Sequence, residues 1–520
     1  MSLASWAWIF LIGYIGLMLG IGFAAQRKVK NADDFATARG GYGPLFLAFA
    51  FAATTASGAT FIGGPGLAYE MGTPTIWGHF LYPLGVYAGV FCCIRLVRRA
   101  GEAFGSRSIP EYLGERYSSD AMRILVSLFS LLLLFYMAGQ LVSGLVMFEM
   151  LLGMSQAWAL AITAGVLMVY VVLGGAHADI MTDGVQGIIM LMVALLIVGL
   201  FLTGMGVDGG LSGVISTLRE DDPNLVGWLN RDSTLYRGPW SVVAIFLSHI
   251  PLGMLPHLGN KIWALKTERD RWRFVWYALF FGLLMAMIGL AGLHARALFG
   301  AELSNGNTAL PALFIELFPN WFAALVGVGI LAAIMSTADG LVVSSSQIVA
   351  NDIYRLTLVP RMKQRPSDDE VDRRVLRISR VGTVVVLLLC TLMAWALLDV
   401  NTALIVWMGN GGLMAAFAGP LLLGALWSGV TRAGALAGLL TGLGVFALTY
   451  LGFFQPSWFP EGSVLFAAAE WLQAESPNPW SCASMGEIAS VAATWCVSKL
   501  TRPLPDEHLA KLFPPAAAAD

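Results

Sequence analysis

Two adjacent hydroxyl residues, Ser336 and Thr337, lie within a long apolar stretch and precede a carboxylate at Asp339. Hard cations prefer oxygen ligands. Hydroxyls of one helix and carbonyls of a broken neighbour would surround a dehydrated Na⁺ with about five oxygens and no fixed charge. The structural alternative is that Ser and Thr bond back to the carbonyl one turn earlier in a membrane helix. Asp339 would belong to the exit route of the ion or pair with another helix.

A broken helix of the required kind is predicted at residues 53–66. This segment lies inside an apolar run, yet its 14 residues include four glycines, one proline, three threonines and a serine. Glycine costs a helix up to ~1 kcal/mol relative to alanine, and proline costs ~3 kcal/mol. Such breaks are tolerated at membrane depth only where the freed backbone groups face protein or a water-filled cavity. The alternative is close packing, because small residues also let a neighbouring helix approach.

A second interruption occurs in a later apolar run, where Pro256 lies between Gly253 and Gly259 and removes a backbone donor. Two interrupted segments at corresponding positions of two inverted halves are the best sequence indication of a transporter site. His257 would hydrogen-bond a substrate or gate it, or be satisfied by a neighbouring helix. Lys261 is expected to extend to the inner membrane surface.

Another carboxylate, Asp183, follows the end of the fifth apolar run and opens the sixth. Near the cytoplasmic mouth it would draw or relay Na⁺. The alternative is that Thr182 or Asp183 caps the sixth helix, because acidic residues are favourable at a helix N-terminus.

The composition predicts an all-α polytopic membrane protein. The 520 residues are 57% hydrophobic and 12% charged, whereas soluble domains carry about 25% charged residues. The first apolar run, residues 6–25, is expected to be a retained span rather than a removed signal peptide. The absence of a Walker A motif argues against ATP-powered transport, and neither an enzyme nor a nucleic-acid partner is indicated.

Thirteen apolar runs are long enough to span a bilayer. With the N-terminus outside and the C-terminus inside, 27 of the 31 lysines and arginines fall on the cytoplasmic side, as the positive-inside rule requires. The predicted spans are 5–25, 43–68, 74–94, 124–151, 156–176, 183–206, 239–263, 274–298, 321–350, 378–398, 402–428, 433–454 and 480–498.

Four motifs together resemble the sodium:solute symporter family. In chain order they are Ala53–Gly66 with its Phe-Ile-Gly-Gly-Pro-Gly ending, Thr182-Asp-x-x-Gln186, Ala332-Ala-Ile-Met-Ser-Thr-Ala-Asp339, and Ala416-Phe-Ala-Gly-Pro420 with Trp427 and Thr431–Gly438. The resemblance implies the LeuT-type fold, a 5+5 inverted repeat formed by spans 2–6 and 7–11 with extra helices. The chain would then divide into 1–42 (first span and loop), 43–428 (transporter core), 429–500 (two additional spans) and 501–520 (short cytoplasmic tail).

The family's functional residues carry over by motif. Its sodium site falls on the carbonyls of Ala53, Ala56 and Ala333 and on the hydroxyls of Ser336 and Thr337. Asp183 matches the family's cytoplasmic-side aspartate, and Asp183 and Asp339 form the expected ion pathway. Substrate contacts are expected from Thr55, Ser57, Thr60, Pro256 and His257.

The resemblance implies a sodium-coupled symporter of the bacterial inner membrane that imports a small organic solute, with Na⁺ and membrane lipid as its other partners. The Pro256-His257 pair resembles the branches that carry pantothenate, proline and monocarboxylates, so a carboxylate is expected. The proline branch has a carboxylate at the position of Thr55, which makes proline a poorer fit. One alternative is proton coupling through Asp183, Asp339 or His257. Another is a non-transporting membrane sensor, but the absence of a sizeable soluble domain argues against it.

Overall fold

The computed structural model describes residues 1–29 and 32–513, without the side chains of residue 32 and residues 166–174. Within these residues the chain is helical and its only β-pairing is an isolated bridge between Tyr42 and Leu265. The helices of the first half are α1 Leu3–Gln26, α2 Ala32–Thr37, α3 Pro44–Thr55, α4 Gly64–Met71, α5 Ile76–Phe104, α6 Ile109–Arg116, α7 Asp120–Ser130, α8 Leu133–Leu152, α9 Gln156–Thr203 and α10 Gly210–Asp221.

The second half begins with a helix that is also broken. Its helices are α11 Pro239–Ser248, α12 Pro256–Gly259, α13 Arg271–Ala286, α14 Leu290–Phe299, α15 Ala309–Leu317, α16 Asn320–Gln347, α17 Asp368–Ala396, α18 Thr402–Phe417, α19 Gly424–Leu426, α20 Arg432–Tyr450, α21 Val464–Glu475, α22 Pro479–Leu500 and α23 Asp506–Leu512.

Eleven of the predicted spans coincide with apolar membrane-length helices in the described part of the chain. Nine are single helices, and two are pairs bent by 60° and 53°, namely Pro44–Thr55 with Ala59–Met71 and Pro239–Met254 with Pro256–Ala264. The remaining two coincide with the first half of α9 and with α22, which is 22 residues long but more polar. The count of thirteen and the orientation of the N-terminus stay predictions.

The first break follows directly from the residues at the end of α3. Ala56 leaves helical geometry at φ −84° and ψ 73°. The amide of Thr60 would bond the Ala56 carbonyl in a continuous helix, but it bonds the Ser57 carbonyl at 2.9 Å instead. Pro65 lies within the half-helix Ala59–Met71, directly after a π-helical turn over Ala59–Gly63, and π-helical turns of this kind are rare and frequent at functional sites. Both predicted interruptions are therefore present, the second at Leu255 and Pro256.

A third break corrects the predicted start of the sixth span. The helical path of α9 is interrupted at Gly175, whose φ of 56° lies in the left-handed region and whose added Cβ would lie 2.6 Å from the Phe35 ring. Glycine adopts this backbone without strain. Because helical geometry resumes after Gly175, Asp183 lies two turns inside the helix, and the interpretation of Thr182 or Asp183 as its cap is wrong.

The two broken helices are joined to each other at one end of the molecule. Residues 40–42 before α3 pair with residues 263–266 after α12, and we call these two segments the inner strap. Its backbone hydrogen bonds run from Gly40 N to Trp263 O (3.0 Å), from Tyr42 N to Ala264 O (3.0 Å) and from Lys266 N to Tyr42 O (2.8 Å).

An ion pair holds the strap against its surroundings. Arg39 donates to both carboxylate oxygens of Asp33, at 2.8 and 3.0 Å, and to the carbonyl of Ser106 at 2.9 Å. Burial by itself raises the pKa of Asp33, but the hydrogen bonds and positive charges of Arg39 and Arg107 outweigh it, so this pKa lies below its ordinary value.

Candidate cation and substrate site

The hydroxyl pair of α16 meets the end of α3 at the first helix break. Ser336 Oγ donates to the carbonyl of Ala53 and lies 3.1 Å from it, and it lies equally close to the carbonyl of Ala333. Thr337 Oγ1 donates to the carbonyl of Thr54 at 2.9 Å. Both hydroxyl residues are fully buried. Five oxygen atoms from two helices thus converge where the backbone of α3 stops being helical, which is the oxygen-rich environment that a hard cation needs.

Four of the five residues predicted for the sodium site are connected by hydrogen bonds: Ser336 joins Ala53 to Ala333, and Thr337 Oγ1 also lies 3.5 Å from the carbonyl of Ala333. The fifth, Ala56, is buried at the break itself, where its carbonyl has lost its helical partner. The structure adds the carbonyl of Thr54, which the sequence analysis did not name. The bond to this carbonyl follows from the angle at which α16 crosses α3, and the sequence contains no signal for that angle.

A buried cluster of charges lies beside the hydroxyl pair. Asp179 and Asp183 from α9 and Asp339 from α16 each place a carboxylate oxygen within 4.8 Å of the others. The ammonium of Lys261 lies 2.8 Å from Asp179 Oδ2 and also contacts Asp183 Oδ2. We call these four residues the acid cluster.

The acid cluster corrects the expectation that Lys261 extends to the membrane surface. Lys261 is only 3% exposed, and Asp183 is completely buried. The physical reason is electrostatic, because a buried carboxylate without a partner costs several kcal/mol. Attraction to two carboxylates keeps the ammonium inside, although a lysine of this length near a helix end would otherwise reach water.

Thr54 connects the hydroxyl pair to the acid cluster. Its carbonyl accepts the hydrogen bond from Thr337, and its hydroxyl donates to Asp183 Oδ2 at 2.6 Å. The five oxygens at the break are uncharged, but the neighbouring acid cluster contains three carboxyl groups and one ammonium. This excess of acidic groups at short range favours a cation at the break, the more so because the surroundings are buried.

A small aromatic cavity lies on the other side of the break. Its volume is about 90 Å³, and three of the predicted substrate residues line it: Thr55, Ser57 and Thr60. None of its lining residues is an Asp, Glu, Lys or Arg. Its aromatic walls and polar groups come from His79, Tyr82, Tyr136, Tyr236, His249, Trp407, Asn410 and Trp480.

The remaining predicted substrate residues lie elsewhere. Pro256 starts α12, and His257 lines a separate void of about 20 Å³ together with Asp179 and Lys261. The His257 ring contacts the Tyr136 ring edge to face, with centroids 5.3 Å apart. Because Tyr136 lines the aromatic cavity, His257 lies one side chain behind its wall.

The residues that sequence reasoning missed are the aromatic ones. His249 lies between two of them, with ring centroids 5.0 Å from Tyr82 and 4.7 Å from Trp407. Tyr82 also donates to the carbonyl of Thr55 at 2.5 Å and so connects α5 to the break. Aromatic residues at helical spacing look like ordinary core in a sequence, so no signal distinguished these.

Comparison with known proteins agrees with this geometry. The sequence model of the sodium:solute symporter family matches residues 35–442. The chain belongs to the sodium:solute symporter family. This symporter is therefore a multi-pass transporter of the plasma membrane, with sodium as its coupling ion, and not an enzyme.

Three of the symporter's curated relatives are named for pantothenate or proline. The sodium/pantothenate symporter of Escherichia coli (strain K12) is 28% identical over 474 residues, covering 85% of this chain and 91% of the relative. The sodium/proline symporter of Salmonella typhimurium is 29% identical over 468 residues, covering 86% and 87%. The high-affinity proline transporter PutP of Bacillus subtilis is 28% identical over 442 residues, covering 82% and 88%.

Solved structures agree with the LeuT-type fold. A Na⁺-coupled sialic acid symporter in a substrate-bound, outward-open state superposes with a TM-score of 0.73 at 19% identity, covering 96% of this chain and 98% of that one. A nucleobase-cation-symport-1 family transporter superposes with a TM-score of 0.52 at 14% identity, covering 93% and 99%. At these identities the similarity is one of fold.

Proposed function

We propose that the symporter imports a small organic carboxylate together with Na⁺ by alternating access. The observation that carries this proposal is the pairing of Ser336 and Thr337 with the carbonyls of Ala53 and Thr54, directly before Thr55, which lines the aromatic cavity. In this arrangement Na⁺ would hold α16 against the broken helix and complete the cavity for the solute. The carbonyl of Ala56 would be a further ligand, and 43–428 would be the core that moves.

The cavity supports an acidic substrate rather than a zwitterion. None of its lining residues carries a carboxylate, so the ammonium group of an amino acid would have no counter-charge there. The hydroxyls of Ser57 and Thr60 line the cavity and can donate to a carboxylate. The half-helix that leads into α4 begins beside them, and its first amides already bond to Gln140 and Ser57. Half-helix N-termini bear partial positive charge and point at anionic substrate groups in transporters of this architecture.

The size of the cavity limits the solute. Typical ligand pockets measure roughly 300–1,000 Å³, whereas this cavity measures about 90 Å³. A compact monocarboxylate fits with little rearrangement, while a solute as long as pantothenate requires the aromatic walls to move. We therefore rank short monocarboxylates before pantothenate, and pantothenate before proline, whose ammonium group has no partner.

Energetics constrain what such a symporter achieves. One charge crossing ~100 mV gains ~2.3 kcal/mol, and a tenfold Na⁺ gradient adds ~1.4 kcal/mol. For a monoanion carried with a single Na⁺ the voltage contribution cancels, so accumulation is limited to about tenfold. A neutral solute would reach roughly 400-fold under the same conditions.

Uptake into proteoliposomes tests the proposal. Acetate, pyruvate, pantothenate, proline and a sugar are offered at equal concentration with an inward Na⁺ gradient, with choline replacing Na⁺ in the control. The expected result is Na⁺-dependent uptake of a carboxylate without an amino group. Uptake of proline or the sugar alone would refute the substrate class. Uptake driven by a pH step without Na⁺ would indicate that protons couple on this fold.

A further inference from the structure

Lys261 places a side-chain cation where the acid cluster would hold a metal ion. Its ammonium contacts Asp179 and Asp183 from one helix, and Asp339 from another lies within 4.8 Å of both carboxylates. Carboxylate oxygens converging from two elements are the usual ligands of a hard cation. Here the ammonium of the chain itself takes two of the three carboxylates as its partners.

The carboxyl groups around Lys261 outnumber its single ammonium. Three carboxyl groups from two helices surround one lysine in a buried environment. Breaking a buried ion pair by removing one partner is strongly unfavourable. Removing the ammonium without replacing it would leave Asp179 and Asp183 without their positive partner, so the cluster would bind another cation more strongly than it does now.

The surroundings of the cluster contain room and unsatisfied groups. A void of about 20 Å³ is lined by Asp179, His257 and Lys261, and roughly 10–15 Å³ is enough for one water-sized particle. His257 is 2% exposed, and within the described part of the chain neither of its ring nitrogens has a hydrogen-bond partner. One oxygen each of Asp179 and Asp183 is likewise buried and without a partner among the described residues. Of these residues, His257 and Asp179 line the void, which fits one small ion.

We propose that Lys261 is a tethered cation that occupies a second cation site of the symporter, formed by Asp179, Asp183 and Asp339. The mobile Na⁺ then binds only at Ser336 and Thr337. The lysine is the positive partner of the carboxylates in place of a second Na⁺, and it is not transported. The inference rests on the sodium-coupled function proposed above. Its chemical consequence is that replacing Lys261 by an uncharged residue converts the acid cluster into a site for Na⁺.

Binding of ²²Na⁺ to the purified full-length protein tests this inference. Ionic strength is held constant with N-methylglucamine chloride, and no organic solute is present. The parent protein should bind about one Na⁺ per chain and Lys261→Met about two, because the carboxylates then require a mobile cation. Lys261→Arg keeps the positive charge and should stay at about one. Lys266→Met is the matched control, since Lys266 lies five residues later with an exposed side chain and should also stay at about one.

The outcomes separate this inference from the proposed function. A Lys261→Met protein that still binds one Na⁺ overturns the tethered cation, and so does a parent protein that binds two. Uptake by the parent protein in the carboxylate panel is a separate measurement, so a failed substrate assignment leaves these binding ratios unaffected.

Poor folding of Lys261→Met does not leave the inference untested. Recovery of folded protein in NaCl but not in N-methylglucamine chloride supports it, because a ligand that binds only the folded state stabilises that state. If neither salt yields folded protein, Lys261→Met is combined with Asp179→Asn, which removes one acidic group together with the ammonium and leaves two carboxyl groups for a mobile cation. About two bound Na⁺ per chain in this double variant supports the inference, and about one overturns it.

Discussion

Removing the hydroxyl groups of Ser336 and Thr337 is the most direct test of the sodium site. Each hydroxyl bonds to a carbonyl of α3, at 3.1 Å for Ser336 and 2.9 Å for Thr337. An interaction between a polar group and a charge contributes about 1.5–3 kcal/mol. Losing one such ligand should therefore raise the Na⁺ concentration for half-maximal uptake by about 10- to 150-fold. Ser336→Ala and Thr337→Val make this change with little alteration of volume.

The two changes should not simply add. Both hydroxyls act on one ion, and effects within one site are coupled by 0.5–3 kcal/mol. We expect the double variant to need at least about 100-fold more Na⁺ than the parent protein. The maximal rate at saturating Na⁺ should fall much less, because the aromatic cavity is untouched.

The assay is the initial rate of solute uptake as a function of Na⁺, with choline keeping ionic strength constant. Ser346→Ala is the matched control, because the Ser346 hydroxyl lies on the same helix and donates to the Val343 carbonyl at 2.9 Å. Its Na⁺ requirement should match that of the parent protein. An unchanged Na⁺ requirement in the double variant, or an equal shift in the control, would refute the site assignment.

Two further predictions concern stability. An added Cβ at Gly89 would lie 1.7 Å from the carbonyl of Ile250, so Gly89→Ala should destabilise the protein by at least about 1–3 kcal/mol. Gly20→Ala, with no atom within 4 Å of its new Cβ, should melt at the temperature of the parent protein or slightly above it, because alanine is the better helix former. Arg39→Gln should cost about 0.5–1 kcal/mol at neutral pH. The Asp33 carboxylate stabilises the fold above its unfolded-state pKa and loses this contribution as the pH falls through its lower folded-state pKa. Arg39→Gln raises that folded-state pKa. The acid-induced fall in melting temperature should therefore begin at a higher pH in the variant than in the parent protein. A fall that begins at the same pH in both proteins would contradict the ion-pair argument.

The helix breaks could be predicted because their causes are local. Glycine and proline disrupt a helix through their own backbone chemistry, so the composition of residues 53–66 and the position of Pro256 were sufficient. The hydroxyl pair was recognisable for a similar reason, because two adjacent polar groups in an apolar run are costly unless they have partners. The same reasoning overlooked Gly175, and the start of the sixth span was consequently placed too late.

The acid cluster depends on contacts between distant parts of the chain. Lys261 and Asp183 are separated by 78 residues, and nothing in either local sequence specifies the partner. A lysine near a helix end fits both a surface position and a buried ion pair, and only the packing of α9 against the second broken helix distinguishes them. The position of His257 likewise depends on tertiary packing, because it lines the void beside Asp179 and Lys261 rather than the aromatic cavity.

The inner strap has a mechanical consequence for the transport cycle. Its three backbone hydrogen bonds join the chain entering the first broken helix to the chain leaving the second. At about 0.5–1.5 kcal/mol each, separating them would cost about 1.5–4.5 kcal/mol, which makes the separated state roughly 10- to 2,000-fold rarer. Both half-helices should therefore move together. A partly open conformation in which only one of them has moved, and through which sodium would leak, is correspondingly rare.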